Sequence, residues 1–455
     1  MVRKRKPAPL SARRRGGPRR PEPVSAARSG RVIVPASGRQ GIRWPAIPTA
    51  SNAALFALQF QLEQSQWWSA EELLNLQMRQ LEVLCAHAAR TVPFYHNRLG
   101  ALSGLDRGGF DSDAWRAVPV LKRAELQDAG PALMSRALPA DHGTAADVQT
   151  SGSTGRPVRV KATAITSLFF AAMNLRYHLW HDRDLAGTVA SIERLDENKL
   201  RLAHAGKAIP WVPGYGTGRM VYFDIRSPVI DQLRWLNRIK PDYVLTYPSN
   251  LRALIERTEE TGIKPQGLRE AATQTELFDP RLRAEVLRAW GVKVTDCYSA
   301  AEVGMIAIEC PDHPHYHVLA ENLLVEILDE ADRPCPTGGV GRVVVTDLHN
   351  FASPLIRYEI GDYAESGGVC ACGRGLAVLA RVMGRERNMA VLPSGERMWP
   401  SIRSGKIFAA VPSVRQFQMI QHSTEEIELK LVVDGRVSAE QEEHLRHELT
   451  KHIGY

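Results

Sequence analysis

Short apolar runs alternate with helix-like segments between residues 145 and 300, and this alternation constrains the fold more than any other feature of the chain. The run DYVLTYP is followed by the helical pattern SNLRALIERTEETG, and PRLRAEVLRAWG is followed by the strand-like VKVTDCYS. Strands that alternate with helices in this way are typical of βαβ units and parallel sheets. The sequence therefore predicts the α/β class, with a large N-terminal α/β domain that contains mostly parallel sheets.

The chain changes character in residues 323–365, where short β runs are separated by turns. These runs, NLLVEILDE, VGRVVVTDL and PLIRYEIGDYAE, predict a β-rich subdomain at about residues 305–383. Two further strand-like runs and a helical pattern lie in residues 384–455 and predict a small α+β C-terminal module. The N-terminal domain as a whole is expected to span residues 49–383.

Two capping boxes indicate helix starts. Ser69 and Glu72 begin an apolar helical pattern that runs to Arg90, and Ser438 and Gln441 begin another near the C-terminus. Each box satisfies backbone N–H groups that the first turn of a helix leaves without partners. Both segments are therefore predicted to be helices.

The basic excess lies at the N-terminus. The net charge is +8, but residues 1–45 hold 13 Lys/Arg and one acidic residue, so the remainder is mildly acidic. A leader rich in Arg and Pro cannot bury a core, and residues 1–48 are predicted to be disordered. The leader either binds nucleic acid or anionic lipid, or is a dispensable extension. The second interpretation is preferred, and nucleic acid is not expected as a partner.

The chain has neither an apolar run of transmembrane length nor an N-terminal apolar signal segment. Neither a membrane span nor a secretory signal is therefore predicted, and a cytoplasmic location is expected. Six cysteines in a long chain without a signal indicate thiols or metal ligands and not a disulfide framework.

Three of the cysteines, together with nearby histidines, have metal-ligand character. VCACGRG supplies Cys370 and Cys372, and ECPDHPHYHV supplies Cys310 and three histidines about 55–60 residues earlier. Such a set can form a tetrahedral Cys3His zinc site with a structural role, because no position is left for water. His317 is preferred as the fourth ligand because it directly precedes a strand, and His313 and His315 are the alternatives. Buried thiols with surface histidines are the competing interpretation.

The stretch TSGSTGRP combines small hydroxyl residues with two glycines. Glycines allow close backbone approach, so N–H groups and hydroxyls of the loop could point at phosphate oxygens. No Gly-Lys-Ser/Thr follows, so the loop is not a Walker A motif, and taken alone it could be a plain turn. The candidate phosphate-binding residues are Thr150, Ser151, Gly152, Ser153, Thr154 and Gly155.

Three later stretches have nucleotide-binding character. CYSAAEVG contains Tyr298, an aromatic ring that could lie against a base, and Glu302, a carboxylate that could hold a phosphate-bridging cation. IRYEIGDYA places Asp362 in a turn where it could accept bonds from ribose hydroxyls. MGRERNM places Gly384 and Arg385 at the boundary before the last module. Each stretch could also be an ordinary turn, but their order is informative.

In this order of motifs the chain resembles the adenylate-forming superfamily of acyl-CoA synthetases, and within it the phenylacetate–CoA ligase group with its capsular-polysaccharide-biosynthesis (CapK-like) members. The resemblance covers about residues 70–450 and includes TVPFYHNRL, VPVLKRAEL, YPSNLRAL, VVVTDLHN, CACGR and the stretches above. It implies that the Thr150–Gly155 loop cradles ATP phosphates, Tyr298 lies against adenine and Asp362 holds the ribose. Glu302 would bind Mg²⁺ and Arg385 would lie on the nucleotide side of the hinge, with both in catalytic roles.

The resemblance also implies the reaction. A carboxylic acid and ATP would give an acyl-adenylate and pyrophosphate, and a thiol, coenzyme A in the expected case, would then displace AMP. ATP, AMP, Mg²⁺, coenzyme A and a structural Zn²⁺ are thus the implied ligands, a small-molecule acid is the implied partner, and a homodimer is left open. CapK-like relatives have a similar Cys/His arrangement, which supports the zinc prediction.

The chain departs from the family at several positions. Arg387 replaces the usual Asp or Lys of the hinge, and Arg156 replaces the usual loop Lys. The C-terminal Gly-Lys segment that serves adenylation is not found, so either the sequence is truncated or that lysine is missing. Ser404-Gly405-Lys406 resembles it but follows the hinge too closely and is interpreted as coincidence. The alternative function is therefore a non-catalytic nucleotide-binding relative or an adenylation-deficient form.

The acid itself is not identified by the sequence. The aromatic and apolar segments 167–181 and 211–224 are predicted to line its pocket. An aryl or medium-chain acid fits this lining, and a sugar-linked or amino acid is also compatible.

Overall fold

The computed structural model describes residues 35–102, 112–149, 156–216, 218–400, 411 and 413–453. Several helices begin at residues whose side chains cap the first turn, such as Thr49, Ser69 and Asp196. Others end at glycines with positive φ, such as Gly262 and Gly291. The helices are α1 (Ala50–Ser65), α2 (Ala70–Thr91), α3 (Ser112–Arg116), α4 (Arg123–Ala129), α5 (Ala164–Trp180), α6 (Glu197–His204), α7 (Val229–Ile239), α8 (Pro248–Thr261), α9 (Arg281–Trp290) and α10 (Ala439–Ile453).

The strands divide into one large sheet and three two-stranded sheets. They are β1 (Ala146–Gln149), β2 (Arg159–Ala162), β3 (Thr188–Glu193), β4 (Arg219–Asp224), β5 (Tyr243–Thr246), β6 (Glu270–Gln274), β7 (Lys293–Ala300), β8 (Gly304–Glu309), β9 (Tyr316–Val318), β10 (Leu323–Leu328), β11 (Val340–Asp347), β12 (Tyr358–Ser366), β13 (Val378–Arg385), β14 (Ala390–Val391), β15 (Arg397–Met398), β16 (Val414–Ser423) and β17 (Glu426–Val433).

The large sheet has eleven strands in the order β10-β11-β12-β13-β9-β8-β7-β6-β5-β3-β4. The neighbouring strands β4, β3, β5, β6 and β7 run parallel to one another, and the remaining neighbours in the sheet pair antiparallel. Along the chain, one helix lies between each parallel strand and the next. The predicted α/β class is thus confirmed. The strands predicted as a β-rich subdomain extend this same sheet, and the division of the chain into domains stays a prediction.

Side chains alternate between the two faces of the parallel strands. Val189 and Tyr243 belong to a core cluster with α1 and α5, whereas their neighbours Ala190 and Val244 belong to a cluster with α7, α8 and α9. Successive residues of a strand point to opposite faces, so both faces are covered, as a parallel sheet requires.

Both capping boxes are present. Ser69 Oγ accepts the N–H of Glu72, and the Glu72 carboxylate accepts the N–H of Ser69 at 2.8 Å. The second box joins Ser438 and Gln441 in the same way before α10, and the two strand-like runs ahead of it form the antiparallel pair β16–β17. None of the helices in the described ranges is long and apolar enough to span a bilayer.

A buried ion pair ties the loop after α5 to the parallel strands. Arg183 donates from Nη2 to Glu270 Oε1 at 2.6 Å, and the two side chains are 3% and 2% exposed. Thr295 on β7 donates to the same carboxylate oxygen at 2.6 Å. The group of three thus fixes β6, β7 and the end of α5 relative to one another.

We expect Arg183→Met to lower the free energy of unfolding by about 3–5 kcal/mol, because it leaves the Glu270 carboxylate buried without its main cation. Urea denaturation monitored by tryptophan fluorescence measures this. Arg288→Met is the control, since Arg288 is 66% exposed and its contact with Glu259 is long, at 3.4 Å. It should change stability by less than about 0.5 kcal/mol, and an equal loss in the two variants would contradict the assignment.

Candidate active site

The β7–β8 hairpin carries two of the predicted site residues. A bulge between Tyr298 and Ser299 interrupts the pairing of β7 with β8, and such bulges re-aim side chains. Glu302 lies in the turn, which closes at Gly304 with φ +76°. A side chain is strained at this φ, so glycine suits the end of the turn.

Strand register brings the next two predicted residues together. Asp362 on β12 is the cross-strand partner of Arg385 on β13, and their side chains form an ion pair of 3.5 Å between Arg385 Nε and Asp362 Oδ1. Tyr298 donates its hydroxyl to Asp362 Oδ2 at 2.8 Å. Three of the sequence-predicted residues are thus in direct contact, although two strands separate β7 from β13 in the sheet.

Burial dominates the electrostatics of this contact. It raises the pKa of Asp362, while the Tyr298 hydroxyl and the Arg385 guanidinium act in the opposite direction. Burial, followed by the neighbouring Asp362 charge, also raises the pKa of Tyr298 well above its usual value. The tyrosine therefore stays protonated and remains a hydrogen-bond donor at neutral pH.

These residues line a cavity of about 430 Å³. Its walls come from the ends of β6 and β7 and from the β13 terminus, so it lies at the carboxyl edge of the parallel strands, where α/β sheets bind ligands. The lining residues are Thr275, Glu276, Leu277, Phe278, Asp296, Cys297, Tyr298, Ser299, Tyr316, Asp362, Val382, Gly384, Arg385, Arg387 and Asn388.

Glu302 makes a contact that the sequence did not indicate. Arg123, the first residue of α4, donates from Nη1 to Glu302 Oε1 at 2.9 Å, and the Glu302 side chain is 9% exposed. The same Nη1 lies 3.4 Å from the Tyr358 hydroxyl. Leu121, two residues before Arg123, bridges to Tyr358 on the sheet and thereby holds α4 beside Glu302.

Arginines converge on this region. Arg387 lines the cavity, and burial, then the charges of Arg385 and Arg123, lower its pKa. Mutual repulsion of cations in a partly buried site is relieved by an anion, so the arrangement suits a polyphosphate. Arg123 occurs in the VPVLKRAEL motif, but no spacing rule links it to Glu302, 179 residues away.

A second cavity of about 370 Å³ lies beside the same hairpin. One of the two segments predicted to form the acid pocket, the α5 helix, contributes Ser167, Phe170 and Met173. The described residues of the other segment, 211–216 and 218–224, do not line it, and Trp211 packs in the core instead. The described residues that line it are Val148, Val160, Lys161, Ala162, Thr166, Ser167, Phe170, Met173, Ala301, Glu302, Val303, Gly304, Met305, Asn322, Asp347 and Asn350.

The cysteines and histidine predicted as metal ligands also come together. One ligand atom from each of Cys310, His317, Cys370 and Cys372 lies within 4.8 Å of every other. Cys310 follows β8, His317 lies on β9, and the two remaining cysteines lie in the β12–β13 loop. His317 on β9 pairs with Val378 on β13, and this register brings the two loops together.

The imidazole ring of His317 is oriented so that it can act as a metal ligand. Its Nδ1 lies 3.4 Å from the carbonyl oxygen of Leu376, which leaves Nε2 towards Cys372 Sγ at 3.4 Å. A carbonyl on one ring nitrogen directs the lone pair of the other at the metal. His315 lies close, with Nε2 3.0 Å from Cys370 Sγ, but is outside the group of four.

Some predicted features lie outside the described residues. They are the phosphate-loop residues Thr150–Gly155, the leader up to residue 34, and Lys406. The strands β1 and β2 flank the loop and pair with each other in antiparallel fashion.

Solved structures share the fold. A crystal structure of 2-hydroxyisobutyryl-CoA ligase in the postadenylation state with 2-HIB-AMP superimposes with a TM-score of 0.69, over 86% of each chain and at 20% identity. The same ligase with 2-HIB-AMP and CoA in the thioesterification state gives a TM-score of 0.60 at 21% identity, over 86% of this chain and 87% of that one. The fold is that of the adenylate-forming CoA ligases.

Curated sequences make the relationship more specific. Phenylacetate-coenzyme A ligase from Thermus thermophilus is 26% identical over 375 residues, 80% of this chain and 82% of the relative. The enzyme of the same name from Aromatoleum evansii is 25% identical over 356 residues, 73% of this chain and 74% of the relative. No family model matches the chain. The chain is a homologue of the phenylacetate-CoA ligases, which confirms the resemblance found in the sequence.

We expect Tyr298→Phe to raise the pKa of Asp362 further, because the lost hydroxyl donor stabilises the ionised carboxylate. A hydrogen bond to a charged group contributes about 1.5–3 kcal/mol, which corresponds to roughly one to two pH units. Carboxyl ¹³C NMR titration measures the change. Tyr363→Phe is the matched control, since the hydroxyl of that residue binds Glu330. An unchanged titration of Asp362 in the Tyr298 variant would contradict the assigned contact.

Proposed function

We propose that the protein is an acid–thiol ligase that activates a carboxylic acid with ATP as an acyl-adenylate and transfers the acyl group to coenzyme A. The observation that carries this proposal is the contact of Tyr298, Asp362 and Arg385 around the cavity at the carboxyl edge of the sheet. The phenylacetate-CoA ligase relatives and the CoA ligase fold support the same reaction.

The cavity residues take separate roles towards the nucleotide. The ring of Tyr298 lies against the adenine, and Asp362 accepts hydrogen bonds from the ribose hydroxyls. Arg385 favours the ionised form of Asp362 and lies beside the phosphates, together with Arg387. The loop Thr150–Gly155 cradles the phosphates through backbone N–H groups.

Glu302 is the residue that would hold Mg²⁺. Its carboxylate binds Arg123 in this structure, and a hard oxygen ligand beside the phosphate region fits this cation. When bound, Mg²⁺ would supply charge neutralisation on the phosphate oxygens. Exchange of Arg123 for the cation at Glu302 would free the guanidinium to contact a phosphate.

The reaction has two steps. A carboxylate oxygen of the acid attacks the α-phosphorus of ATP, and the bond to the β-phosphate oxygen breaks to release pyrophosphate. The sulfur of the thiol then attacks the acyl carbon, its proton is lost to solvent, and AMP leaves with the bonding electron pair. Positioning and charge neutralisation by the arginines serve both steps, so no protein nucleophile is needed.

The Cys310, His317, Cys370 and Cys372 group is proposed to hold a structural zinc. Three thiolates and one imidazole fill a tetrahedron and leave no position for a reacting water. The four ligands lie after β8, on β9 and in the β12–β13 loop, so a bound metal would link β8 and β9 to that loop. A cytoplasmic location and homodimer formation stay predictions.

Pyrophosphate exchange tests the function directly. The protein, ATP·Mg and a panel of carboxylic acids should give acid-dependent exchange of labelled pyrophosphate into ATP, followed by acyl-CoA formation when coenzyme A is added. Nucleotide binding without exchange for any acid would instead favour the non-catalytic nucleotide-binding relative.

Asp362→Asn should weaken AMP binding by about tenfold or more, since charge-assisted hydrogen bonds to the ribose become neutral ones. Isothermal titration calorimetry measures the affinity. The asparagine can still accept the Tyr298 hydroxyl, so the fold is retained. Glu365→Gln on the same strand is the control, because neither Glu365 nor its partner Arg381, which is 65% exposed, lines the cavity. Equal AMP affinity in the Asp362 variant and the native protein would refute the nucleotide assignment.

Protein purified without chelator should contain about one zinc per chain, and the double variant Cys370→Ser/Cys372→Ser should lack it and melt at lower temperature. Inductively coupled plasma mass spectrometry and thermal unfolding measure the two effects. Cys335→Ser is the matched control, since Cys335 lies outside the group and should leave both unchanged. Metal-free native protein would rule the site out.

A further inference from the structure

Trp399 contacts the pair of strands that carries the candidate active site. Its indole Nε1 donates to the carbonyl oxygen of Arg385 at 3.1 Å, and its ring meets that of Tyr363 edge to face at a centroid distance of 5.3 Å. Tyr363 and Gly384 are cross-strand partners, next to the pair of Asp362 and Arg385 that lines the cavity of about 430 Å³. Trp399 is not among the described residues that line this cavity, so it can act on the site only through the residues that it contacts.

Gly384 allows the indole to lie close to β13. A Cβ atom at this position would be 3.3 Å from Trp399 Cδ1. This is shorter than the roughly 3.5–4.0 Å of a favourable contact between two carbon atoms. The backbone of Gly384 also has φ +121°, a conformation that is strained for any residue with a side chain. The glycine before Arg385 thus makes room for the indole.

The β14–β15 hairpin fixes the position of Trp399. Val391 on β14 is the cross-strand partner of Arg397 on β15, two residues before Trp399. Gln421 on β16 in turn accepts the N–H of Val391 at 2.9 Å and donates to its carbonyl oxygen at 2.7 Å. The indole is therefore presented to β13 by a hairpin that is itself tied to the β16–β17 pair.

The side chain of Arg385 has few contacts of its own. It is 43% exposed, and the 3.5 Å contact with Asp362 is its one ion pair among the described residues. A long side chain that is held at one point keeps much of its rotamer freedom, so its direction depends on the backbone that carries it. The hydrogen bond from Trp399 restrains this backbone at the last residue of β13.

We propose that Trp399 is a positioning residue for the nucleotide site, which holds Arg385 opposite Asp362 through the Arg385 carbonyl. The proposal rests on the proposed function, because the Asp362–Arg385 pair is assigned there to the nucleotide. Loss of the indole N–H would release the backbone at the end of β13, and the guanidinium would then spend less time beside the carboxylate.

Trp399→Phe keeps an aromatic ring beside β13 and removes the hydrogen-bond donor. We expect it to bind AMP roughly two- to tenfold more weakly, the effect of one neutral hydrogen bond, as measured by isothermal titration calorimetry. Trp211→Phe is the matched control. Trp211 Nε1 also donates to a backbone carbonyl at 3.1 Å, that of Gly187, but neither residue lines the cavity. The control should melt at lower temperature and keep its AMP affinity.

A double-mutant cycle shows whether the effect passes through Arg385. In an Arg385→Met background, Trp399→Phe should change the AMP affinity by less than about twofold, because the guanidinium that Trp399 positions is absent. A merely structural role of the indole would weaken AMP binding by the same factor in both backgrounds, and that result would overturn the proposal. Thermal unfolding of the four proteins verifies that each is folded at the temperature of the titration.

Titration of Asp362 in the ligand-free protein separates the positioning role from the proposed function. The charge of Arg385 favours the ionised form of Asp362, so a displaced guanidinium should raise the pKa of Asp362 in Trp399→Phe and leave it unchanged in Trp211→Phe. Carboxyl ¹³C NMR measures both. A raised pKa in a protein that binds no AMP would support the positioning role and count against the ligase activity. An unchanged pKa and an unchanged affinity in a protein that does bind AMP would overturn the positioning role alone.

Discussion

The hydrogen bonds that β7 makes on its two edges are the interaction on which the rest of the structure depends. One edge pairs parallel with β6 and the other pairs antiparallel with β8, so this strand joins the helix-covered half of the sheet to the antiparallel half. Tyr298 lies on β7 and its partner Asp362 lies on β12. Their contact exists only because the sheet continues unbroken from one half to the other.

The charges of the site are arranged so that an anion relieves them. Arg123, Arg385 and Arg387 lie close enough to influence one another, while Asp362 and Glu302 each bind one arginine. In a partly water-excluded cavity the attraction of such a group for phosphate is stronger than on an open surface. An anion bound among these groups would therefore offset the cost of holding like charges together.

Local signals in the sequence predicted the local structure well. The capping boxes at Ser69 and Ser438, the βαβ alternation and the Cys/His group all depend on short spacings or on chemistry that few alternatives share. Long-range register was not predictable in this way. The β-rich strands join the parallel sheet through the β7–β8 hairpin, and the ion pair of Arg123 with Glu302 depends on that placement and on no local pattern.

Glu302 and Asp347 show why residue type alone does not assign a role. Both are mostly buried acids that line the smaller cavity, but Glu302 is paired with an arginine whereas Asp347 holds only two backbone N–H groups on one oxygen. Under the proposed function, the paired Glu302 carboxylate exchanges its arginine for a metal cation beside the phosphates. Burial instead raises the pKa of Asp347 to about 6, because the two backbone N–H donors only partly offset the loss of hydration. The difference in partners, and not the residue type, thus separates the environments of the two carboxylates.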